Sequence, residues 1–202
     1  MLLNLFKSER ARLPLRLAGE RIFMRPPERA DWEDWVDVRS RNEKFLKPWS
    51  PTGALADITR EGYNRRLAGY VEEWDSDRGY TFFIFRNDTN ALVGGVTLNN
   101  IVRGAGQMAN LGYWLDEEET RQGFMTEAVL LACQFGFCAL KLHRIQAGTL
   151  PENVASQKVL LNCGFHAEGI SRRYIRINGE WRDHQMFSLL SEEFISLGGS
   201  HF

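Results

Sequence analysis

Apolar and polar positions follow a helical rhythm along the first part of this chain and a strand-rich rhythm from about residue 80 onward. Residues 22–25 form a short apolar run stopped by Pro26 and Pro27, which reads as a strand. Asp31 is then placed to cap a helix running to about Arg39, with Trp32, Trp35, Val36 and Val38 at its apolar positions. Residues 45–51, interrupted by Pro48 and Pro51, read as a loop with exposed aromatics. A second helix is expected over about 57–74, where Ile58, Tyr63, Leu67, Tyr70, Val71 and Trp74 recur at helical spacing.

Residues 80–85 are a continuous β-prone run, as expected of a strand buried on both faces. Strands follow at 93–99 and 107–115, with Gly104 and Gly106 marking the turn between them. The segment after Gly123 carries Ala128, Leu131, Ala132, Phe135 and Ala139 on one helical face. Residues 143–149 alternate as a strand and 153–161 read as a helix, with Gly164 where a left-handed C-terminal residue belongs. Runs at 174–177 and 181–189 flank Asn178-Gly179, the strongest short hairpin signal in the chain. No repeat or low-complexity segment interrupts this order. The fold class is therefore α/β (α+β), one domain over 21–202 after a loose extension at 1–20 with a short strand, broken by Pro14 and Gly19.

Composition narrows the function. With 202 residues and 44% hydrophobic content the chain can bury a core of its own. A formal net charge of −1 supplies no global basic field, which disfavours nucleic acid as the main ligand. Three cysteines, Cys133, Cys138 and Cys163, cannot all pair within one chain and lack C-x-x-C spacing, so a reducing, cytoplasmic setting is expected. The apolar start is too short for a signal-peptide core, and no membrane span is present in the pattern.

Two helix starts carry the candidate chemistry. Residues 120–128 join a strand end to a helix, where free N–H groups and the positive helix end suit a pyrophosphate. Gly123 allows close approach of the backbone and Arg121 adds charge; an ordinary helix start with nothing bound fits the same pattern. At the second start, Asn153 and Ser156 stand three apart, so Asn153 is expected to accept from the Ser156 N–H as an N-cap. Both side chains would also lie at the mouth of a cleft beside strand 143–149, and capping does not exclude function. Strand, glycine turn, helix, strand and polar-started helix together form the order an acyl-CoA enzyme needs.

The residues Leu111-Gly112-Tyr113-Trp114-Leu115, Gly123-Phe124-Met125-Thr126-Glu127-Ala128, Leu142-His143-Arg144-Ile145, Leu150-Pro151-Glu152-Asn153 with Ser156, and Gly164-Phe165 resemble the GNAT family of acetyl-CoA-dependent N-acetyltransferases. Within it they are similar to the RimJ group of ribosomal-protein N-terminal acetyltransferases. Glu168-Gly169, Arg173-Tyr174, residues 177–181 and Asp183-His184 continue the resemblance, which covers about residues 20–190. It implies a mixed, mostly antiparallel sheet whose central strands, here 107–115 and 143–149, splay apart around the pantetheine arm. In the family's pyrophosphate loop, Gln/Arg-x-x-Gly-x-Gly/Ala, Thr120 and Met125 depart from the first and last positions. The main-chain donors survive such changes.

What the resemblance implies for the site is specific. Acetyl-CoA would contact Leu111, Gly112, Tyr113, Arg121, Gln122, Gly123, Phe124, Met125, Thr126, Asn153 and Ser156. An amine would attack the thioester directly, with a backbone N–H near 111–113 polarising the carbonyl. Asn153 would position the cofactor or a water, and Ser156 would protonate the leaving thiolate. No carboxylate matches a general base; Ile175 stands where a relative carries Glu, with Glu168 and Asp183 as fallbacks. The acceptor implied is the α-amine of a ribosomal protein beginning with Ala or Ser.

Other readings stay open: a small amine such as an aminoglycoside, polyamine or amino acid, or a CoA-binding module without catalysis. The acidic run Glu117-Glu118-Glu119 would suit a polycation or be a solvated loop. The four histidines, His143, His166, His184 and His201, lack metal-ligand spacing, and no metal is expected. The cysteines fit inert buried thiols. Arg172, Arg173 and Arg176 read as a solvated strand face or as an edge facing a ribosomal partner. Trp49 and Tyr80 are either core residues or walls of an acceptor pocket. Direct nucleic-acid or membrane partners are not expected, and the chain would be a monomer or homodimer.

Overall fold

A computed structural model describes residues 15–196. The first fourteen residues of the expected extension, the end of the domain from 197 and His201 lie outside the described residues. The chain runs β1 (Leu17–Ala18), β2 (Ile22–Arg25), α1 (Trp32–Arg41), α2 (Glu43–Leu46), α3 (Arg60–Asp75), β3 (Gly79–Arg86), β4 (Leu92–Val102), β5 (Met108–Leu115), α4 (Phe124–Gln134), β6 (Arg144–Thr149), α5 (Val154–Asn162), β7 (His166–Ile177), β8 (Glu180–Leu190) and α6 (Ser191–Ser196). All eight strands form one sheet in the order β1-β2-β3-β4-β5-β6-β8-β7. Every pairing is antiparallel except that of β5 with β6.

The uniformly apolar run at β3 is buried along nearly its whole length because helices cover both faces of the sheet there. Phe82, Ile84, Val96, Leu98 and Ile145 point to one face, where α4, α5 and α6 supply Ala128, Val129, Leu160 and Phe194. Phe23, Phe83 and Phe85 point to the other, against Trp35 of α1 and Tyr63 of α3. The alternation of β3 side chains thus feeds two cores from one strand.

Several sequence expectations are corrected. Asp31 precedes α1, but its carboxylate accepts from Arg25 (2.8 Å) and the Glu28 N–H (2.7 Å) rather than from the helix start. Residues 45–51 are not simply loop: α2 and a 3₁₀ turn at Lys47–Trp49 occupy most of them. The helix expected from 57 begins at 60, capped by the Thr59 hydroxyl on the Gly62 N–H at 3.0 Å. The helix after Gly123 finishes in a π-helical turn over Phe135–Ala139. β7 starts at His166 rather than 174, and α6 was not anticipated. Asn178 and Gly179 do form the hairpin turn, both at positive φ (46° and 90°).

One buried carboxylate ties the helical layer to the sheet. Asp116, 2% exposed and one residue beyond β5, accepts from Arg41 at the end of α1, from Asn42 Nδ2 (2.8 Å) and from the Glu118 N–H (3.3 Å). Asn42 in turn accepts from the Glu117 N–H at 2.8 Å. Burial opposes ionisation of Asp116, but the bonds from Arg41 and Asn42 outweigh it and hold its pKa below the ordinary value. A depressed pKa adds stability above the unfolded carboxylate value of about 3.9, which disappears as pH falls through the folded value. Asp116→Asn should therefore cost about 2–3 kcal/mol at pH 7 in urea unfolding. The gap from the parent should narrow near pH 3; equal stability of the two proteins at pH 7 would refute the tie.

Candidate active site

Between β5 and β6 the ladder runs out. Met108, Ala109 and Asn110 pair with Arg144, Ile145 and Gln146, and nothing beyond them pairs. β5 continues to Leu115 against β4, and β6 continues to Thr149 against β8, so the two parallel strands part into a wedge. The Asp116 N–H bonds to the Val93 carbonyl. By antiparallel alternation, the main-chain groups of Trp114 and Gly112 face β4 and those of Tyr113 face the wedge. The Ser191 N–H bonds to the His143 carbonyl, which likewise turns the main-chain groups of Gly148 toward the wedge. Of residues 111–113, alternation turns the main-chain groups of Leu111 and Tyr113 away from β4, and Tyr113 lies beyond the last paired residue, Asn110. Just before the parting, a polar row crosses the sheet. Gln146 donates to Asn110 (2.7 Å), and Arg144 and Ser188 converge on Glu168 (2.9 and 2.8 Å).

The turn that follows β5 delivers the start of α4. Gly123 is the cap residue at φ +84°, and Arg121 is also left-handed at +61°. The first helical bond is Glu127 N–H to Gly123 O at 3.1 Å, so the N–H groups of residues 123–126 stand ahead of the ladder. Phe124 and Met125 are 5% exposed and point into the core, which leaves only their main chain for a ligand, while the side chains of Arg121 and Gln122 are exposed. The turn is braced from behind by Arg21. Its guanidinium donates to the Gln122 carbonyl (2.6 Å) and pairs with Glu127 (3.2 Å). A Cβ at Gly123 would meet that guanidinium at 3.0 Å.

On the same face of the sheet, α5 brings its polar start to β5. Asn153 Oδ1 accepts from the Ser156 N–H at 3.1 Å, the cap expected from the sequence. The Ser156 hydroxyl lies 2.7 Å from the Tyr113 hydroxyl, which is also 3.2 Å from the Ser156 carbonyl. Burial drives the Tyr113 phenol pKa well up, opposed only in part by the bond from Ser156. The phenol therefore stays protonated at neutral pH, and the pair can hold and pass a proton. Nearby, Thr149 at the end of β6 is 6% exposed, and its hydroxyl has no partner among the described residues.

The opposite face of the wedge is lined by side chains from α1, β7 and β8. Met186, His184 and Tyr174 gather over Gly148. His184 is buried, with Nδ1 3.0 Å from the Arg182 carbonyl and its ring edge-on to Tyr174. Arg39 of α1 walls this side: it is 7% exposed, lies 4.8 Å over the Trp114 ring and donates to the Ala54 carbonyl (2.9 Å). Burial lowers its pKa to about 10, still leaving it charged at neutral pH. The chain after the 3₁₀ turn closes an arch with the hairpin: Pro51 bridges Ile177, Thr52 N–H donates to the Arg176 carbonyl (2.8 Å), and Gly179 N–H donates to Thr52 Oγ1 (2.8 Å).

The structure thus brings Leu111, Gly112, Tyr113, Asn153 and Ser156 to the wedge and residues 121–126 to the turn beside it. The fallback bases are engaged elsewhere. Arg144 and Ser188 hold the Glu168 carboxylate below its usual pKa, and Asp183 accepts from the Arg173 N–H (2.8 Å). Sequence reasoning missed the hydroxyl partnership of Tyr113, the brace by Arg21 and the unpartnered Thr149. Strand alternation puts Tyr113 on the α4–α5 face, but nothing local pairs it with a residue 43 positions away. Among the described residues there is no group of three or more potential metal ligands.

Comparison with known proteins agrees with this geometry. Residues 21–166 match the family described as Acetyltransferase (GNAT) domain. A probable N-acetyltransferase, YjcK, of Bacillus subtilis (strain 168) is 42% identical over 177 residues, covering 88% of this chain and 98% of its own. The [ribosomal protein uS5]-alanine N-acetyltransferase of Escherichia coli (strain K12) is 30% identical, covering 89% and 93%. The structure of Mycobacterium smegmatis RimJ in complex with CoA-disulfide superposes with a TM-score of 0.83 at 27% identity, covering 94% of this chain and 98% of that one.

Asn153 has a structural duty that can be measured alone. Asn153→Ala should lower the unfolding free energy by about 1 kcal/mol, and Asn153→Ser should restore most of it. Urea titrations showing no loss would remove the cap from this account.

Proposed function

The chain belongs to the acetyltransferase (GNAT) domain family, and from that premise we propose that it transfers acetyl from acetyl-CoA to the N-terminal α-amine of a ribosomal protein. The observation that carries the reading is the Ser156–Tyr113 hydroxyl pair beside the wedge. The residues present fit the cosubstrate. A strand pair with unpaired main-chain groups suits the amides of a pantetheine arm, the orphaned Thr149 hydroxyl offers a further polar contact, and the α4 start suits a pyrophosphate. Bound there, acetyl-CoA supplies an electrophilic thioester and a thiol leaving group.

The protein's part follows from its residues. The N–H groups of 123–126 and the Arg121 side chain hold the phosphates, and Gln122 is fixed by its bonds to Glu118 O (3.2 Å) and Glu119 (3.0 Å). Tyr113 N–H polarises the carbonyl, and the acceptor amine attacks it directly, without an acyl-enzyme. The nitrogen releases its surplus proton to solvent water, Ser156 gives its proton to the departing sulfur while its oxygen takes the Tyr113 hydroxyl hydrogen, and the pair regains one proton from solvent as products leave; Asn153 keeps Ser156 in place through its cap.

The acceptor is argued from what the face opposite α4 and α5 lacks. Glu168 and Asp183 are both engaged, so neither carboxylate is a ready base there. An α-amine titrates near about 8 and a lysine near about 10.4, so a protein N-terminus is already partly neutral and needs less help. The relatives named for ribosomal-protein alanine acetylation support the same class. A polycationic small amine is less suited, because Glu119 of the acidic run is already paired with Arg86 (3.1 Å). The three cysteines form no disulfide, and no described helix is long and apolar enough to cross a membrane, which fits a cytoplasmic site of action.

Incubation with acetyl-CoA and a panel of Ala-, Ser- and Met-initiated peptides, a peptide with only ε-amines free, polyamines and aminoglycosides should yield α-acetylated Ala or Ser peptides by mass. Exclusive acetylation of a small amine would replace the acceptor. Ser156→Ala should lower kcat about a hundredfold with CoA affinity kept, the range of a lost general acid. A small effect would reduce Ser156 to a residue of the helix turn. Gly123→Val, strained at +84° and crowded by Arg21, should weaken CoA binding about tenfold in calorimetry, and unchanged affinity would remove the pyrophosphate role.

A further inference from the structure

Outside the arch, a cavity of about 480 Å³ lies between α2 with its 3₁₀ turn and the β7–β8 hairpin. It is a half-open groove rather than an enclosed pocket, a shape that suits part of an extended chain. Lys44, Lys47 and Trp49 form one wall; Glu152, Arg182 and Glu180 stand on the other. Two of its lining residues are next to the wedge along the chain: Glu152 precedes the Asn153 cap of α5, and Arg182 lies two residues from His184 on β8.

The charges in the cavity are unequal. Glu152 and Arg182 neutralise each other as an ion pair. Lys44 and Lys47 sit three apart on consecutive helical turns, so they share a side, and neither has an ion-pair partner among the described residues. Glu180, at the start of β8 beside the hairpin tip, is the one unpaired carboxylate facing them among the lining residues, leaving an excess of one positive charge. Trp49, 37% exposed, adds an apolar surface between the lysines and the arch. Lysine ammonium groups are mobile point charges rather than rigid forks, so they select charge on a flexible chain more than a fixed anion geometry.

We propose that this cavity receives the residues that follow the acceptor amine, and that Lys44 and Lys47 select polypeptides with an acidic side chain within the first few positions. The inference rests on the reading of the acceptor as a polypeptide N-terminus. An extended chain advances about 3.3–3.6 Å per residue, so the first three or four residues after the amine reach on the order of 10–14 Å from it.

The test uses the full chain and Ala-initiated peptides that differ only in residues 2–5, which are acidic, neutral or lysine. Acidic peptides should exceed lysine peptides in kcat/KM by about fivefold, the scale of two exposed charge contacts, and the advantage should shrink in high salt. Lys44→Glu with Lys47→Glu should invert the order, with retained CoA affinity showing that the variant is folded. Equal turnover of all peptides overturns the charge selection while leaving the α-amine reading intact. No turnover of any peptide, with a small amine acetylated instead, overturns both.

Discussion

Two parallel strands that stop pairing midway must leave backbone groups without partners, and the design of this protein turns on that break. Up to Asn110 and Gln146 the ladder is complete and reinforced by a row of side-chain hydrogen bonds. Beyond that point each strand keeps its outer neighbour, β4 or β8, so neither frays. The cost of the open wedge is confined to a few main-chain groups, and an extended amide-bearing arm is the natural partner for them. The sheet is thereby a scaffold with a gap of unpaired main-chain groups built into it.

The two helix starts are positioned by the same break. The turn from β5 to α4 is held from one side by Asp116 and Asn42 and from the other by Arg21, so its free N–H groups are aimed before any ligand arrives. The turn from β6 to α5 uses Asn153 to satisfy the Ser156 N–H, and this presents the serine hydroxyl to Tyr113. The helix cap and the hydroxyl pair therefore meet in one residue, Ser156, whose N–H is held by Asn153 and whose hydroxyl faces Tyr113.

Much of this was legible in the sequence where burial or turn chemistry left a local mark. β3 announced itself by an unbroken apolar run, the Asn178-Gly179 turn by its residue types, and the α5 cap by the spacing of Asn153 and Ser156. The first half of β7 was silent because it is an edge strand wet on both faces, from His166 to Arg173, and so carries no alternation. α2 and α6 are four and six residues long, too short to show a helical period. Asp31 has the residue type of a cap, yet its carboxylate is drawn to Arg25 across the start of the helix, a choice that only the tertiary arrangement decides. The Tyr113–Ser156 contact belongs to the same class: both residues could be placed on their elements, but not against each other.

The thiols carry a consequence for how such a protein survives its own chemistry. Acetyl transfer from acetyl-CoA releases a free thiol, and an ionised cysteine would invite a mixed disulfide wherever that thiol met an oxidant. Burial pushes Cys163 up to about 12 and raises Cys133 as well, although Cys163 lies close enough to the first turn of α4 to hydrogen-bond the Thr126 carbonyl. Kept as undissociated thiols inside the core, these two are withheld from exchange. The fold thus keeps these two thiols out of the disulfide chemistry that a released thiol and an outside oxidant could start.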